Sequence, residues 1–189
     1  MQQKSESTPE LHLIGAGGLA SDFIACFRDI FKISGCWDDN LVAGSTFNSI
    51  PVLGTVAELI SLKTPFQVIM TIGNPAVRMK IATLLSNSVH TCPVIIHPDA
   101  RLYDKEQIAL GSGCIIFPGV FLTTKIHIGA HSIVHIGASV HHDVIVGDFS
   151  VLMPGVRITG NVNVGIAVFF APGATVSHGV TIGDGERIG

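Results

Sequence analysis

The sequence of 189 residues is poor in charge: Asp, Glu, Lys and Arg together supply 13% of it, and the net charge is −3. It has no basic run, which removes the electrostatic footprint expected of a nucleic-acid-binding protein. Hydrophobic residues make up 47%, yet no uninterrupted apolar stretch approaches the roughly 20 residues that span a bilayer, which argues against a membrane protein. The first ten residues are polar and mixed in charge, without the basic flank and apolar segment of a secretory signal, so a cytoplasmic location is expected. Cysteine is equally sparse. Cys26, Cys36, Cys92 and Cys114 are widely spaced, form no C-x-x-C pair and sit among apolar neighbours, a pattern of buried reduced thiols and not of disulfides or a metal site.

What is present changes character midway, and the length suits two small domains, each with its own core. The expected organisation is a polar tail over 1–10, a Rossmann-like α/β unit over 11–95 and a repeat domain over 96–189. In the α/β unit, Leu11 to Ile14 form an apolar run that breaks at Gly15-Ala16-Gly17-Gly18. Ala20, Phe23, Ile24, Phe27, Ile30 and Phe31 then follow at helical spacing. Gly15, Gly17 and Ala20 satisfy the G-x-G-x-x-G/A spacing, in which glycines let the backbone approach a phosphate held at the helix N-terminus. Asp38-Asp39 lie about where such folds place the acid that contacts the nucleoside, with Asp39 24 residues after Gly15. The competing reading is a tight turn followed by a solvated acidic loop.

Further along, Thr55-x-x-Glu58 has the form of a capping box before a short helix. Val68 to Ile72 read as a buried strand. Gly73-Asn74-Pro75 follow, with Asn74 able to cap and Pro75 able to take the first turn of a helix through Val77, Ile81, Leu84 and Leu85. Strands alternating with helices imply a parallel sheet with ligands at the carboxyl ends of its strands, so the turns at Gly15–Gly18 and Gly73–Asn74 are expected to share one ligand.

From Leu110 every sixth residue through Ile188 is apolar: Leu110, Ile116, Leu122, Ile128 and so on. Four positions later in each six stands a small or β-branched residue, until Glu186 breaks the column. Hexapeptide periodicity is the mark of a parallel β-helix, whose coils cover one another's apolar faces. Gly111, Gly129, Gly147, Gly165 and Gly183 follow the first column and are expected to serve tight turns. Ile96, Ala100, Leu102 and Ile108 keep the period but shifted by two residues, so the first coil should be irregular. At the other end the last coil, ending at Gly189, is expected to pack on a neighbour or fray.

One stretch interrupts the repeat: Ser139-Val140-His141-His142-Asp143-Val144. Val140 and Val144 point inward, which leaves His142 and Asp143 on a turn or outer surface. A histidine next to a carboxylate that fixes its tautomer suits general-base removal of a proton from a hydroxyl or amine. The alternative is a pair of solvated polar residues, as for His127, His131 and His178.

The unbroken sixes resemble the left-handed β-helix hexapeptide acyltransferase superfamily. Leu13-Ile14-Gly15-Ala16-Gly17-Gly18, Trp37-Asp38-Asp39-Asn40, Ile72-Gly73-Asn74, His97-Pro98 and Ser139 through Asp148 resemble, more narrowly, the bacterial sugar acetyltransferases related to sialic acid O-acetyltransferase and UDP-amino-sugar N-acetyltransferase. That resemblance implies a homotrimer with active sites between subunits. Acetyl-CoA, as co-substrate, would lie between neighbouring β-helices, and a nucleotide sugar or sialic acid would be the acceptor, with no metal. It further implies that His142 is the general base and Asp143 its orienting acid. Gly15, Gly17, Gly18, Asp38, Asp39, Gly73 and Asn74 would hold the sugar nucleotide, and Gly160 and Gly173 the acetyl-CoA, with a backbone amide near Gly160 on the thioester oxygen.

The chain departs from the family pattern at Leu19, where His is usual, at His141, where an acid is usual, and at His135-Ile136, where Asn-Thr is usual. It also ends before the family's usual final coils, which implies a less enclosed CoA. These departures bear on which sugar is accepted and on how CoA is held. The functional expectation is therefore an acetyl-CoA-dependent sugar N- or O-acetyltransferase, set against a non-catalytic sugar-nucleotide or dinucleotide-binding scaffold.

Overall fold

The computed structural model describes residues 10–189; the expected tail lies outside them except for Glu10, which opens the first strand. The α/β unit contains β1 (Glu10–Ile14), α1 (Gly18–Phe27), β2 (Lys32–Trp37), β3 (Thr46–Phe47), β4 (Ile50–Gly54), α2 (Val56–Ser61), β5 (Val68–Met70) and α3 (Pro75–Leu85). Its sheet runs in the order β3-β4-β2-β1-β5, parallel except for β3. The chain leaves β1 toward β2 on one side and returns to β5 on the other. A topological switch point therefore falls between β1 and β5, where such sheets bind ligands.

Local chemistry sets the ends of these elements. Thr55 and Glu58 form the expected capping box, and Asn74 Oδ1 accepts from the amides of Ala76 and Val77. Helix α1 buries Ala20, Phe23, Ile24 and Phe27, one stripe at helical spacing. In α3 the expected apolar stripe is corrected: Val77 and Leu84 are exposed, and Ile81 and Leu85 share the buried face with Arg78. The guanidinium replaces two aliphatic side chains because it reaches backbone carbonyls on both sides of an interface, which no aliphatic side chain can do.

The remainder is a left-handed parallel β-helix with three faces. The first face holds Ile95–Ile96, Ile115–Ile116, Ile133–Val134, Val151–Leu152, Phe169–Phe170 and Arg187–Ile188. The second holds Arg101–Leu102, Phe121–Leu122, Ser139–Val140, Arg157–Ile158 and Thr175–Val176, and the third Ile108–Leu110, Ile126–Ile128, Val144–Val146, Asn163–Val164 and Thr181–Ile182. Partners in register are 18 residues apart, as in Ile133↔Val151 and Val140↔Ile158, so each coil is three hexapeptides. The first coil is irregular as expected. Leu102 pairs with Leu122 and Ile108 with Ile126, so two extra residues fall between Leu102 and Ile108, where Lys105–Gln107 make a tight turn.

Both apolar columns point inward and are buried through the middle coils. Ser132 and Ser150, in the second column, satisfy their hydroxyls on Gly147 and Gly165 carbonyls and accept from the amides of Ser150 and Val168. The last coil still pairs Arg187–Ile188 with Phe169–Phe170, and the Arg187 guanidinium lies 4.2 Å over the Phe169 ring.

The glycine column needs a different explanation from the one expected. Positive φ recurs at every sixth residue from Gly113 to Gly185, including Lys125, His131, Asp143, Phe149, Asn161 and Ala167, so the tight turn does not fall on Gly111, Gly129, Gly147 or Gly165. A Cβ on Gly129 would lie 2.4 Å from the Asp148 amide, and one on Gly147 2.5 Å from the Gly165 carbonyl. Glycine stands there because consecutive coils touch backbone to backbone.

The α/β unit lies against the first face. The outward residues Ile115, Ile133 and Val151 are completely buried, whereas their counterparts Phe121 and Ile145 on the other faces are 42% and 52% exposed. Phe23 and Phe27 pack edge-on to Phe117, with Phe27–Phe117 centroids 5.4 Å apart. At the other margin, Arg78 donates to the His131 carbonyl through Nε at 2.9 Å and also through a terminal nitrogen, while its remaining donors reach the Met70 and Ile72 carbonyls. Each fully buried Phe contributes about 2–3 kcal/mol of transfer free energy to this junction.

Candidate functional site

The loops after β1 and β5 form one cleft of about 370 Å³, lined by Gly15, Gly17, Gly18, Asp38, Gly73 and Asn74 among others. Gly15 has φ +95, and a Cβ there would lie 2.5 Å from Ile72, so this position needs glycine on both counts. Gly17, Gly18 and Gly73 face open space. Helix α1 begins at Gly18 with no side-chain cap and no acid in its first turn, so its N-terminal amides and positive dipole end are unneutralised, as a phosphate site requires.

Asp38 and Asp39 separate in role. Asp38 lines the cleft and fastens it: Oδ2 accepts from the Ala16 amide and Oδ1 from the Asn40 amide, both at 2.8 Å. Asp39 is not among the cleft residues, and its Oδ1 accepts from the Val56 amide at 2.9 Å, at the start of α2. Two residues missed in the sequence complete the cleft. Asn40 lines it, and buried Thr71 ties the two loops together by donating to the Gly15 carbonyl at 2.7 Å.

His142 and Asp143 sit on the turn between the second and third faces. Asp143 takes φ 57, the left-handed conformation that short polar side chains tolerate. Its Oδ2 lies 2.9 Å from His142 Nδ1, and its Oδ1 is 3.7 Å from Lys125 Nζ. The bond to His142, helped by Lys125, holds the Asp143 carboxyl below its ordinary value. With Nδ1 donating to the carboxylate, neutral His142 has its lone pair on Nε2, the arrangement a base needs. Gly160, one coil on, lies against the ring: a Cβ there would come within 2.4 Å of Nε2. Two coils on, the His178 ring centroid is 6.3 Å from that of His142.

Not all the expected site residues meet in one chain. Gly160 adjoins His142. Gly173 lies on a different corner, between the first and second faces, where its amide donates to the Pro154 carbonyl. The cleft belongs to the unit covering the first face, whereas His142 occupies the opposite edge of the prism. Among the described residues no group of three His, Cys, Asp or Glu side chains converges as a metal site, and no helix is long and apolar enough to cross a membrane. All four cysteines are free thiols.

Comparison with known proteins places this architecture. Residues 10–85 match the PglD N-terminal domain family. A segment of 115 residues is 36% identical to GDP-perosamine N-acetyltransferase from Escherichia coli O157:H7; it covers 59% of this chain but only 49% of that relative. Over 96% of its length, the chain superposes on 88% of the acetyltransferase domain of PglB from Neisseria gonorrhoeae FA1090, solved in complex with acetyl coenzyme A, with TM-score 0.84 and 27% identity. A mutant of perosamine N-acetyltransferase from Caulobacter crescentus, solved with CoA and GDP-perosamine, shares the fold at TM-score 0.77, with 24% identity over 97% of this chain and 90% of that one. The α/β unit, the hexapeptide prism and these likenesses agree: over residues 10–85 the chain is similar to the PglD N-terminal domain family, and over nearly its whole length its fold is that of the PglB acetyltransferase domain.

Proposed function

We propose that this protein transfers an acetyl group from acetyl-CoA to an amine or hydroxyl of a nucleotide-linked sugar, with His142 as the general base. The single observation that carries the reading is the 2.9 Å contact between His142 Nδ1 and Asp143, which fixes the base-competent tautomer on an exposed edge of the prism. His142 removes the proton as the acceptor attacks the thioester carbonyl, and CoA departs as the thiol after taking up a proton. The backbone at Gly160 faces the negative charge that develops on the carbonyl oxygen. The known relatives support this reading: one is a GDP-perosamine N-acetyltransferase, and the PglB domain was solved with acetyl coenzyme A.

Residues 11–95 hold the sugar nucleotide, with its diphosphate at Gly17 and Gly18, and residues 96–189 hold acetyl-CoA. His142 and the cleft lie on opposite sides of one chain, so the cleft of one protomer works with His142 of a neighbour in a cyclic homotrimer. Exposed apolar residues on the uncovered faces, Tyr103, Phe121 and Ile145 among them, supply surface for that packing.

The test is CoA release from acetyl-CoA with a panel of UDP- and GDP-linked amino sugars and sialic acids. An active acceptor in the panel and loss of turnover in His142→Ala are expected, and an unchanged rate in that variant would sink the mechanism. A non-catalytic scaffold predicts nucleotide binding without binding of acetyl-CoA.

A further inference from the structure

The nucleotide cleft continues into a second hollow of about 470 Å³, with which it shares Gly18, Leu19 and Gly73. This hollow is closed by Ser21, Asp22, His135, Met153 and Phe169. It lies where α1 meets the corner between the first and second faces of the prism. His135 stacks on Phe117 with centroids 4.2 Å apart, and its side chain is 1% exposed. Its Nδ1 accepts from the Ile136 amide at 2.9 Å, so in the neutral ring the proton resides on Nε2. That buried Nε2 has no hydrogen-bond partner among the described residues. Asp22 Oδ2 stands 3.5 Å from it, on a half-exposed side chain that lines the hollow.

Two physical arguments give this pair a purpose. Asp22 is four residues after Gly18 on the same face of α1, so it stands about 6 Å along the axis from the helix N-terminus. A group attached to the outer phosphate of a diphosphate at Gly18 reaches that level. A carboxylate so close to an anion site also weakens the binding of phosphate by like-charge repulsion, and its presence is accounted for if it contacts an uncharged or cationic hydrogen-bond donor. The remaining walls, Leu19, Met153 and Phe169, offer an apolar surface to the flat side of a ring.

We propose that Asp22 is the sugar-ring contact of this protein and His135 the positioning residue that holds its carboxylate in the hollow. Asp22 accepts hydrogen bonds from hydroxyl or amino groups of the ring, and the His135 Nε2–H anchors it from behind. The inference rests on the nucleotide-sugar reading above and assigns the part of the ligand that distinguishes one sugar from another.

The experiment is calorimetric titration of the full chain with four probes: GDP-perosamine and GDP, and UDP-N-acetylglucosamine and UDP. In the wild type, at least one sugar nucleotide should bind about ten-fold or more tighter than its bare diphosphate, the scale of a hydrogen bond to a charged group. Asp22→Asn and His135→Leu should lose that increment while binding the bare diphosphate as well as before, or more tightly for Asp22→Asn. His135→Gln, which keeps a side-chain N–H donor, should retain it. A fall of equal size for sugar nucleotide and bare diphosphate, an increment untouched by Asp22→Asn, or no increment in the wild type would overturn the proposal. Wild-type protein that binds none of the four probes would overturn the nucleotide-sugar reading itself and this inference with it.

Discussion

Arg78, completely buried, donates from Nε to the backbone carbonyl of His131, 53 residues away, at 2.9 Å. Among the described residues no carboxylate neutralises it; its partners are three carbonyls, those of Met70 and Ile72 on the α/β side and that of His131 on the prism side. Burial pulls its pKa down to about 10, so it remains charged at neutral pH. Arg78→Met would leave those carbonyls without donors, offset in part by the desolvation the lost charge no longer costs. A net loss of about 2–3 kcal/mol is expected, lowering the melting temperature by roughly 5–10 °C. Arg78→Lys should also fall below wild type, because an ammonium cannot span three acceptors in a fork. Full stability of the Lys variant by differential scanning calorimetry would show that charge alone is sufficient.

With His142 as the proposed base, Gly160 should be a sensitive position for activity without being one for stability. A methyl group there would meet the His142 ring at 2.3–2.4 Å, and a half-exposed imidazole moves away at little cost. Gly160→Ala should lower kcat by about a hundred-fold or more through displacement of the base, with an unchanged melting temperature. Near-normal turnover would mean that His142 acts from a position other than the one observed.

The pH dependence of stability follows from three histidines. Burial, as the leading cause, lowers the pKa of His12, His131 and His135 from the ordinary 6.5; Arg78 adds to it for His131 and Asp22 opposes it for His135. A lowered value in the folded state means that the unfolded chain binds more protons below 6.5. Stability from these groups is therefore complete above pH 6.5 and is lost as pH falls through that value toward their folded pKa values. Denaturant midpoints should be flat from pH 7 to 8 and decline below 6.5, with a shallower slope in His135→Gln. A midpoint that rises on acidification from pH 6.5 to 5.5 would contradict the buried neutral state.

A site shared between protomers can be tested by complementation. His142→Ala removes the proposed base. Gly18→Glu places a carboxylate at the proposed phosphate site, where it also suits the first turn of α1 and leaves the fold intact. Each variant alone should be inactive. Co-expressed in equal amounts, they should recover about a quarter of the wild-type rate, because half of the clefts and half of the histidines are intact in a random cyclic assembly. No recovery would place the whole site within one chain.

The hexapeptide columns, the glycine loop, the capping box at Thr55 and the Asn74-Pro75 helix start are all legible in the sequence because each is local: a period, a spacing or a cap that acts within a few residues. The His142-Asp143 pair is legible for the same reason, as neighbours on one turn. Other features are not. Asp39 stands beside Asp38 and has the same chemistry, yet one lines the cleft and the other accepts from the Val56 amide at the start of α2. Gly129 resembles a turn glycine but is required by the backbone of the next coil.

The sequence by itself determined the two halves of the chain, the residues of the prism that point inward and the pairing of His142 with Asp143 on one turn, because periodic burial and local hydrogen bonding leave few alternatives. Only the tertiary structure decided that Arg78 takes a place on the buried face of α3 and reaches across to the prism, that His135 stands behind Asp22, and that the cleft and His142 lie on opposite sides of the prism. Those relationships connect residues far apart in the chain, and their geometry depends on how two independently patterned units pack, which no local pattern encodes.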